Sequence, residues 1–250
     1  MTKTKSFIKI DLNCDLGEGT GNDEAIMPFI SSANIACGYH AGDETTIKET
    51  IQLAVKHKVA VGAHPSFPDK ENFGRTDMHL PLSEIYNIVT RQIKIIDKAA
   101  RKAGTTLHHV KLHGALYNMA ARTKNIAATV ALAVKDYNEH LIIYGSRYSI
   151  SEAKKIGVRT ASEVYADRMY NEDGSLVSRK IPVAVIEEHE KAVKQVLQMI
   201  QQGSVDTIDN ITIPVEAETI CLHGDNARAV DLVKHISSAL KKEKIKIQAF

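Results

Sequence analysis

Short β-rich runs recur along the chain, each closed by a cluster of polar residues and most of them followed by a segment with apolar positions at helical spacing. The first run is Phe7–Leu12, leading into Asp11-Leu-Asn-Cys-Asp-Leu-Gly-Glu18. The second is Ser32–Cys37, leading into Gly38-Tyr-His-Ala-Gly-Asp43. Val59–Ala63 leads into His64-Pro-Ser-Phe-Pro-Asp69, and His109–Leu112 into His113-Gly114. Leu141–Tyr144, Val158–Val164 and Thr219–Leu222 complete the set, the last ending in His223-Gly-Asp225.

Helices fit between these runs. Thr45 or Thr46 is a capping residue for a helix with Ile47, Ile51, Ala54 and Val55 on one face. Ser83 caps a second, with Ile85, Ile88, Val89, Ile96 and Ala99 at helical spacing and Gly104 as its stop. Further helices are predicted at about Asn125–Tyr137, Glu187–Gln202 and Asn226–Lys241. Asp209-Asn210 reads as a hairpin turn, and Asn171-Glu-Asp-Gly174 as a turn in a long excursion after the sixth strand. About seven strands alternating with helices predict an α/β chain, its strands parallel and joined by right-handed crossovers. No linker composition or repeat divides it, so residues 1–250 are expected to form a single domain.

Composition narrows the functional classes. A formal net charge of +2 over 250 residues gives no electrostatic case for nucleic acid, and the terminal lysines from Lys241 to Lys246 read as a solvated face. No apolar run approaches the roughly 18 residues of a membrane helix. Three cysteines, none in a CxxC pair, fit a reduced cytoplasmic setting.

In parallel α/β folds ligands sit at the carboxyl ends of the strands, and there the unusual residues collect. His40, His64, His113 and His223 each close a β-run. Alternation sets Asp11, Asn13 and Asp15 on one face, Lys111 with His113, and Cys221 with His223 and Asp225. His40 joins Asn34 if its strand runs that far. Neighbours on one strand face lie about 6.6 Å apart, so any metal or reacting centre must draw its groups from different strands. A plain structural ion-pair layer, for example Lys111 with Asp11, is the competing reading. Cys14 and Cys37 alternate away from the polar faces and read as buried thiols, and Cys221 is expected to serve packing. Neither GxxxxGK[ST] nor GxGxxG is present.

These residues resemble the LamB/YcsF family. The likeness rests on Asp11–Glu18, Ser32–Asp43, Gly62–Asp69, Phe73-Gly-Arg75, Val110–Asn118, Glu163–Arg168 and Cys221–Asp225, in order and over nearly the whole chain. It implies a seven-stranded β/α barrel, TIM-like but distorted and similar to carbohydrate deacetylases and some glycosidases, which agrees with the strand count. It also implies one component of a 5-oxoprolinase that works with subunits B and C to open 5-oxoproline to L-glutamate, using ATP with Mg²⁺.

Given that reaction, chemistry assigns expected roles. Asp15, His40, His64, Lys111, His113 and His223 form the catalytic pool. Asn13, Arg75, Glu163, Arg168 and Asp225 contact substrate or phosphate, with Lys111 and Arg168 meeting negative charge. Asp15 and Glu18 are expected to hold Mg²⁺, a hard ion suited to carboxylates. Two other readings stay open: a metal-dependent deacetylase or amidohydrolase using Asp15 with two histidines, and a non-catalytic substrate-binding subunit.

Overall fold

The computed structural model describes residues 8–224 and 228–250. Among these residues there are ten strands: β1 (Lys9–Leu16), β2 (Ser32–Ala36), β3 (Ala60–His64), β4 (Leu107–Lys111), β5 (Ile142–Gly145), β6 (Arg159–Tyr165), β7 (Ser204–Asp206), β8 (Thr212–Pro214), β9 (Thr219–His223) and β10 (Lys246–Ile247). The helices are α1 (Asp23–Ile26), α2 (Glu44–His57), α3 (Leu82–Lys102), α4 (Gly114–Arg122), α5 (Lys124–Tyr137), α6 (Tyr148–Lys155), α7 (His189–Gln202) and α8 (Ala229–Lys242).

Strands β1 to β6 pair in order, all parallel, and β9 closes the sheet by pairing with both β6 and β1. The result is a closed seven-stranded parallel barrel wrapped by helices, the fold that the family resemblance implies and the strand count agrees with. β10 adds in parallel to the start of β1, and β7 with β8 forms the separate hairpin expected around Asp209-Asn210. Outward residues such as Leu12, Cys14, Ile35, Val110, Val164 and Ile220 are buried in the main hydrophobic core. The helices supply its other half, notably the isoleucine face of α3 (Ile85, Ile88, Ile93, Ile96).

Three local expectations are corrected. The helix α2 is capped by Asp43, whose carboxylate accepts from the Thr46 amide, and not by Thr45 or Thr46. Pro81 occupies the N-cap of α3, with Ser83 inside the first turn, because proline's missing N–H costs nothing at a helix start. The strand β2 ends at Ala36, so His40 reaches the site from the following turn, not from a strand face. Helices α4 and α6 are additions to the predicted set; both are short and their apolar residues follow strand ends without a clear start signal.

Candidate active site

The lumen of this barrel is polar, stacked in layers that rise toward the carboxyl ends of the strands. At the lowest layer Asp11 accepts hydrogen bonds from Ser31 Oγ (2.6 Å), Ser32 Oγ (2.7 Å) and Thr219 Oγ1 (2.6 Å). Burial still holds its pKa above the ordinary 3.8, with Ser31 and Thr219 acting the other way. Above it, Asn34 Nδ2 donates to Asn13 Oδ1 (2.7 Å), His109 Nε2 donates to Asn34 Oδ1 (2.8 Å), and Asn13 Nδ2 donates to Glu163 Oε1 (3.1 Å) and Thr219 Oγ1 (2.7 Å). Gly62 makes room for this layer. A Cβ there would lie 2.1 Å from His109 Nε2.

The next layer is charged. Lys111, 1% exposed, places Nζ 2.6 Å from Asp15 Oδ1, 3.2 Å from Glu163 Oε1 and 2.8 Å from Cys221 Sγ. Isolated buried charges are costly, so each must be paired, and these are. Burial alone would lower the Lys111 pKa, but Asp15, Cys221 and Glu163 more than reverse it and hold the ammonium charged. Asp15 is driven well below 3.8: burial opposes ionisation, and His64 and Lys111 together override it. Lys111 thus meets Asp15 and Glu163 rather than Asp11. Cys221 is also more than packing. Its thiol stays protonated, its pKa raised by burial against the pull of Lys111, and accepts from the ammonium.

At the rim, His40, His64 and His113 meet. His40 and His113 stack with centroids 3.8 Å apart, and His64 stands edge-on to both. His64 Nε2 lies 3.3 Å from Asp15 Oδ2 and 2.9 Å from His113 Nδ1. Glu18 Oε1 lies 3.3 Å from His40 Nε2 and 3.6 Å from His113 Nδ1. Burial, then the neighbouring His64, pushes His40 down to about 2 from 6.5 and His113 well below 6.5, so both rings are neutral at physiological pH. Phe73, in a left-handed conformation (φ 55°), and Gly74 fold a loop over this cluster. The Gly74 carbonyl accepts from Ala115 at the start of α4, and Arg75 stacks its guanidinium 4.8 Å over the Phe73 ring.

Across the rim, His223 Nδ1 is held by Asp167 (3.0 and 3.1 Å) and its ring stacks on Tyr165. Burial would raise Asp167, but His223 pairing outweighs it and keeps the carboxylate ionised. A cavity of about 1130 Å³ opens here at the strand ends, lined by Asp15, His64, Arg75, Lys111, His113, Glu163, Arg168 and His223 among others.

The structure thus brings Asp15, His64, Lys111, His113, Glu163 and His223 together at one mouth, with His40 and Glu18 behind the histidines. Asn13 lies one layer down, bonded to Glu163 and away from the cavity lining. Arg168 lines the cavity, but its guanidinium donates to the Val177 carbonyl (2.6 Å) and the Ala184 carbonyl (3.4 Å), tying down the excursion after β6. Asp225 lies outside the described residues. The expected Asp15–Glu18 pair is not assembled as one oxygen-donor set. Asp15 groups with Cys221 and His223, whereas Glu18 groups with His40, His64 and His113. An imidazole-rich set does not suit Mg²⁺. Sequence reasoning missed Asp167 and the structural part of Ser66, whose hydroxyl meets His40 Nδ1 at 2.9 Å and donates to the Phe67 carbonyl. Asp167 was detectable as the acidic residue two beyond Tyr165; Ser66 carried no signal beyond its place after His64-Pro65.

Comparison with known proteins gives a consistent result. The LamB/YcsF family model matches residues 10–250. A Bacillus cereus (strain Q1) protein described as the A subunit of 5-oxoprolinase is 46% identical over 246 residues, covering 95% of this chain and 97% of that one. A Staphylococcus aureus (strain MW2) protein with the same description is 47% identical, covering 97% and 100%. The lactam utilization protein of Thermus thermophilus superposes with a TM-score of 0.90 at 38% identity, covering 97% of this chain and 100% of that one. The catalytic domain of a peptidoglycan N-acetylglucosamine deacetylase from Eubacterium rectale ATCC 33656 shares the fold alone (TM-score 0.53, 11% identity).

Proposed function

Because this chain belongs to the LamB/YcsF family, we propose that it works in opening 5-oxoproline to L-glutamate, as one component of an ATP-coupled 5-oxoprolinase completed by subunits B and C. The observation that carries this reading is a mouth rich in cations over a buried acid–base cluster. Among the described residues lining the cavity, eight are lysine or arginine and four are aspartate or glutamate. That balance suits a small anion, here a ring bearing a carboxylate and, once its carbonyl oxygen is activated by phosphate, a second anionic group.

The chain's own residues supply the remaining needs. Lys111 holds positive charge at the cavity floor, where low dielectric strengthens its field. Asp15 keeps that lysine charged and orients His64. His223, held by Asp167 and facing the cavity, is the acid–base group for the attacking water or the leaving ring nitrogen. Arg75 and Arg168 border the same space. No glycine-rich phosphate loop occurs in the sequence, and Asp15 and Glu18 fall in different ligand groups. In this reading the nucleotide belongs to the partner subunits, and no step here runs through it. A cytoplasmic setting fits three free, buried cysteines.

The experiment is reconstitution: glutamate formed from 5-oxoproline with ATP by subunits B and C, with and without this chain. The expected result is turnover only when all three are present. Equal turnover without this chain overturns the reading.

A further inference from the structure

The hydrogen bonds around the three rim histidines fix where their protons sit. His64 Nδ1 lies 2.8 Å from the Lys111 carbonyl and His113 Nε2 lies 2.9 Å from the Phe73 carbonyl, so both nitrogens donate. The Ser66 hydroxyl gives its proton to the Phe67 carbonyl, so His40 Nδ1 donates to Ser66 Oγ. The second nitrogen of each ring, His40 Nε2, His64 Nε2 and His113 Nδ1, is turned to the inside of the cluster. These three point at one another and at Glu18 Oε1, all four atoms lying within 4.8 Å of one another. His64 Nε2 lies 2.9 Å from His113 Nδ1 and 3.3 Å from Asp15 Oδ2. His40 Nε2 lies 3.3 Å from the Glu18 carboxylate.

We propose that His40, His64, His113 and Glu18 form a binding site for a zinc-class divalent metal ion. Ligands at about 2.0–2.1 Å in a tetrahedron stand about 3.3–3.4 Å apart. The spacings of 2.9, 3.3 and 3.6 Å bracket that value. Three imidazoles with one carboxylate select zinc, cobalt or a similar ion over Mg²⁺ or Ca²⁺. Each imidazole already carries the outer hydrogen bond that orients a metal-bound histidine. His64 and His113 also line the cavity, so a bound ion is reachable by an oxygen of substrate or water. Its chemical use, polarising a carbonyl or lowering the pKa of water, rests on the proposed ring-opening reaction; its existence does not.

The test is Co²⁺ titration of the chelator-treated full chain, read by visible absorption, with Zn²⁺ displacing the signal and calorimetry giving stoichiometry. The expected result is one ion per chain with intense absorption from low-coordinate cobalt. Glu18→Gln and His113→Asn weaken binding by more than about 100-fold, and Ser66→Ala by about 10–100-fold, the range for an outer-shell partner. Far-UV circular dichroism without metal confirms that each variant is folded. If His113→Asn does not fold, the Glu18→Gln and Ser66→Ala arms still decide. No cobalt spectrum, or binding unchanged in Glu18→Gln, overturns the site. Metal binding without glutamate formation in the reconstituted complex would leave the site standing and remove the function. The opposite pair of results would do the reverse.

Discussion

Replacing Lys111 by methionine keeps much of its volume and deletes one ammonium from the barrel floor. That ammonium faces Asp15 at 2.6 Å and Glu163 at 3.2 Å. At an effective dielectric of about 20, the two attractions are about 6 and about 5 kcal/mol before desolvation is subtracted. Both carboxylates keep other partners, Asn34 and His64 on Asp15, Asn13 and Tyr165 on Glu163, so the loss is partial. Breaking a buried pair by removing one side costs about 3–5 kcal/mol, a large part of a typical total stability of about 5–15 kcal/mol. Urea unfolding at pH 7, followed by circular dichroism, should show that loss through a lower midpoint at unchanged slope. The orphaned carboxylates acquire raised pKa values, so their penalty is absent below the unfolded pKa and grows as pH rises. The deficit should therefore shrink as pH is lowered toward about 4. Adding Asp15→Asn and Glu163→Gln to Lys111→Met removes the uncompensated charge and should recover at least about 2 kcal/mol. A single variant within about 1 kcal/mol of the parent, or a triple variant no better than the single, would refute the pairing argument.

Other consequences are testable in the same way. His40, His109 and His113 are all depressed below 6.5, chiefly by burial, so the unfolded chain takes up protons that the folded chain refuses. Stability should hold above pH 6.5 and fall below it, by up to about 1.4 kcal/mol per pH unit for each histidine; a flat profile from pH 7 to 5 would contradict their burial as neutral rings. Gly62→Ala drives a methyl group into the His109 ring and should destabilise by at least about 1–3 kcal/mol, with unaltered stability as the opposing result. Gly114→Ala meets the Gly74 carbonyl at 2.4 Å and a φ of 55°, and thermal unfolding should show a loss of about 2 kcal/mol or more; an unchanged melting point would mean the Phe73–Arg75 loop is not seated as described.

The strands of the barrel were legible because their outward faces are conventional: Leu12, Ile35, Val110, Val164 and Ile220 are apolar positions set between inward ones, while closure into a barrel came from the family resemblance. The length of β1 was not. The apolar run ends at Leu12, yet the strand continues to Leu16 because Ser31, Ser32, Asn34, Lys111, Glu163 and Thr219, distant in sequence, satisfy Asp11, Asn13 and Asp15. Partners distant in sequence cannot be read from a local pattern. The same reason hid the choice of Asp15 over Asp11 for Lys111. Face alternation did place Lys111 with His113 and Cys221 with His223. It could not place His40, which arrives by a turn, or foresee that Arg168 spends its guanidinium on backbone carbonyls.

The most direct test of the account is ATP-dependent glutamate formation by the reconstituted complex carrying Asp15→Asn in this chain, with urea unfolding confirming the fold. Loss of the carboxylate takes away the nearer charge partner of Lys111 and the carboxylate beside His64, and turnover should fall by at least about 100-fold, the lower range for removing acid–base function. Turnover near that of the parent complex would contradict a reaction centred on this barrel mouth.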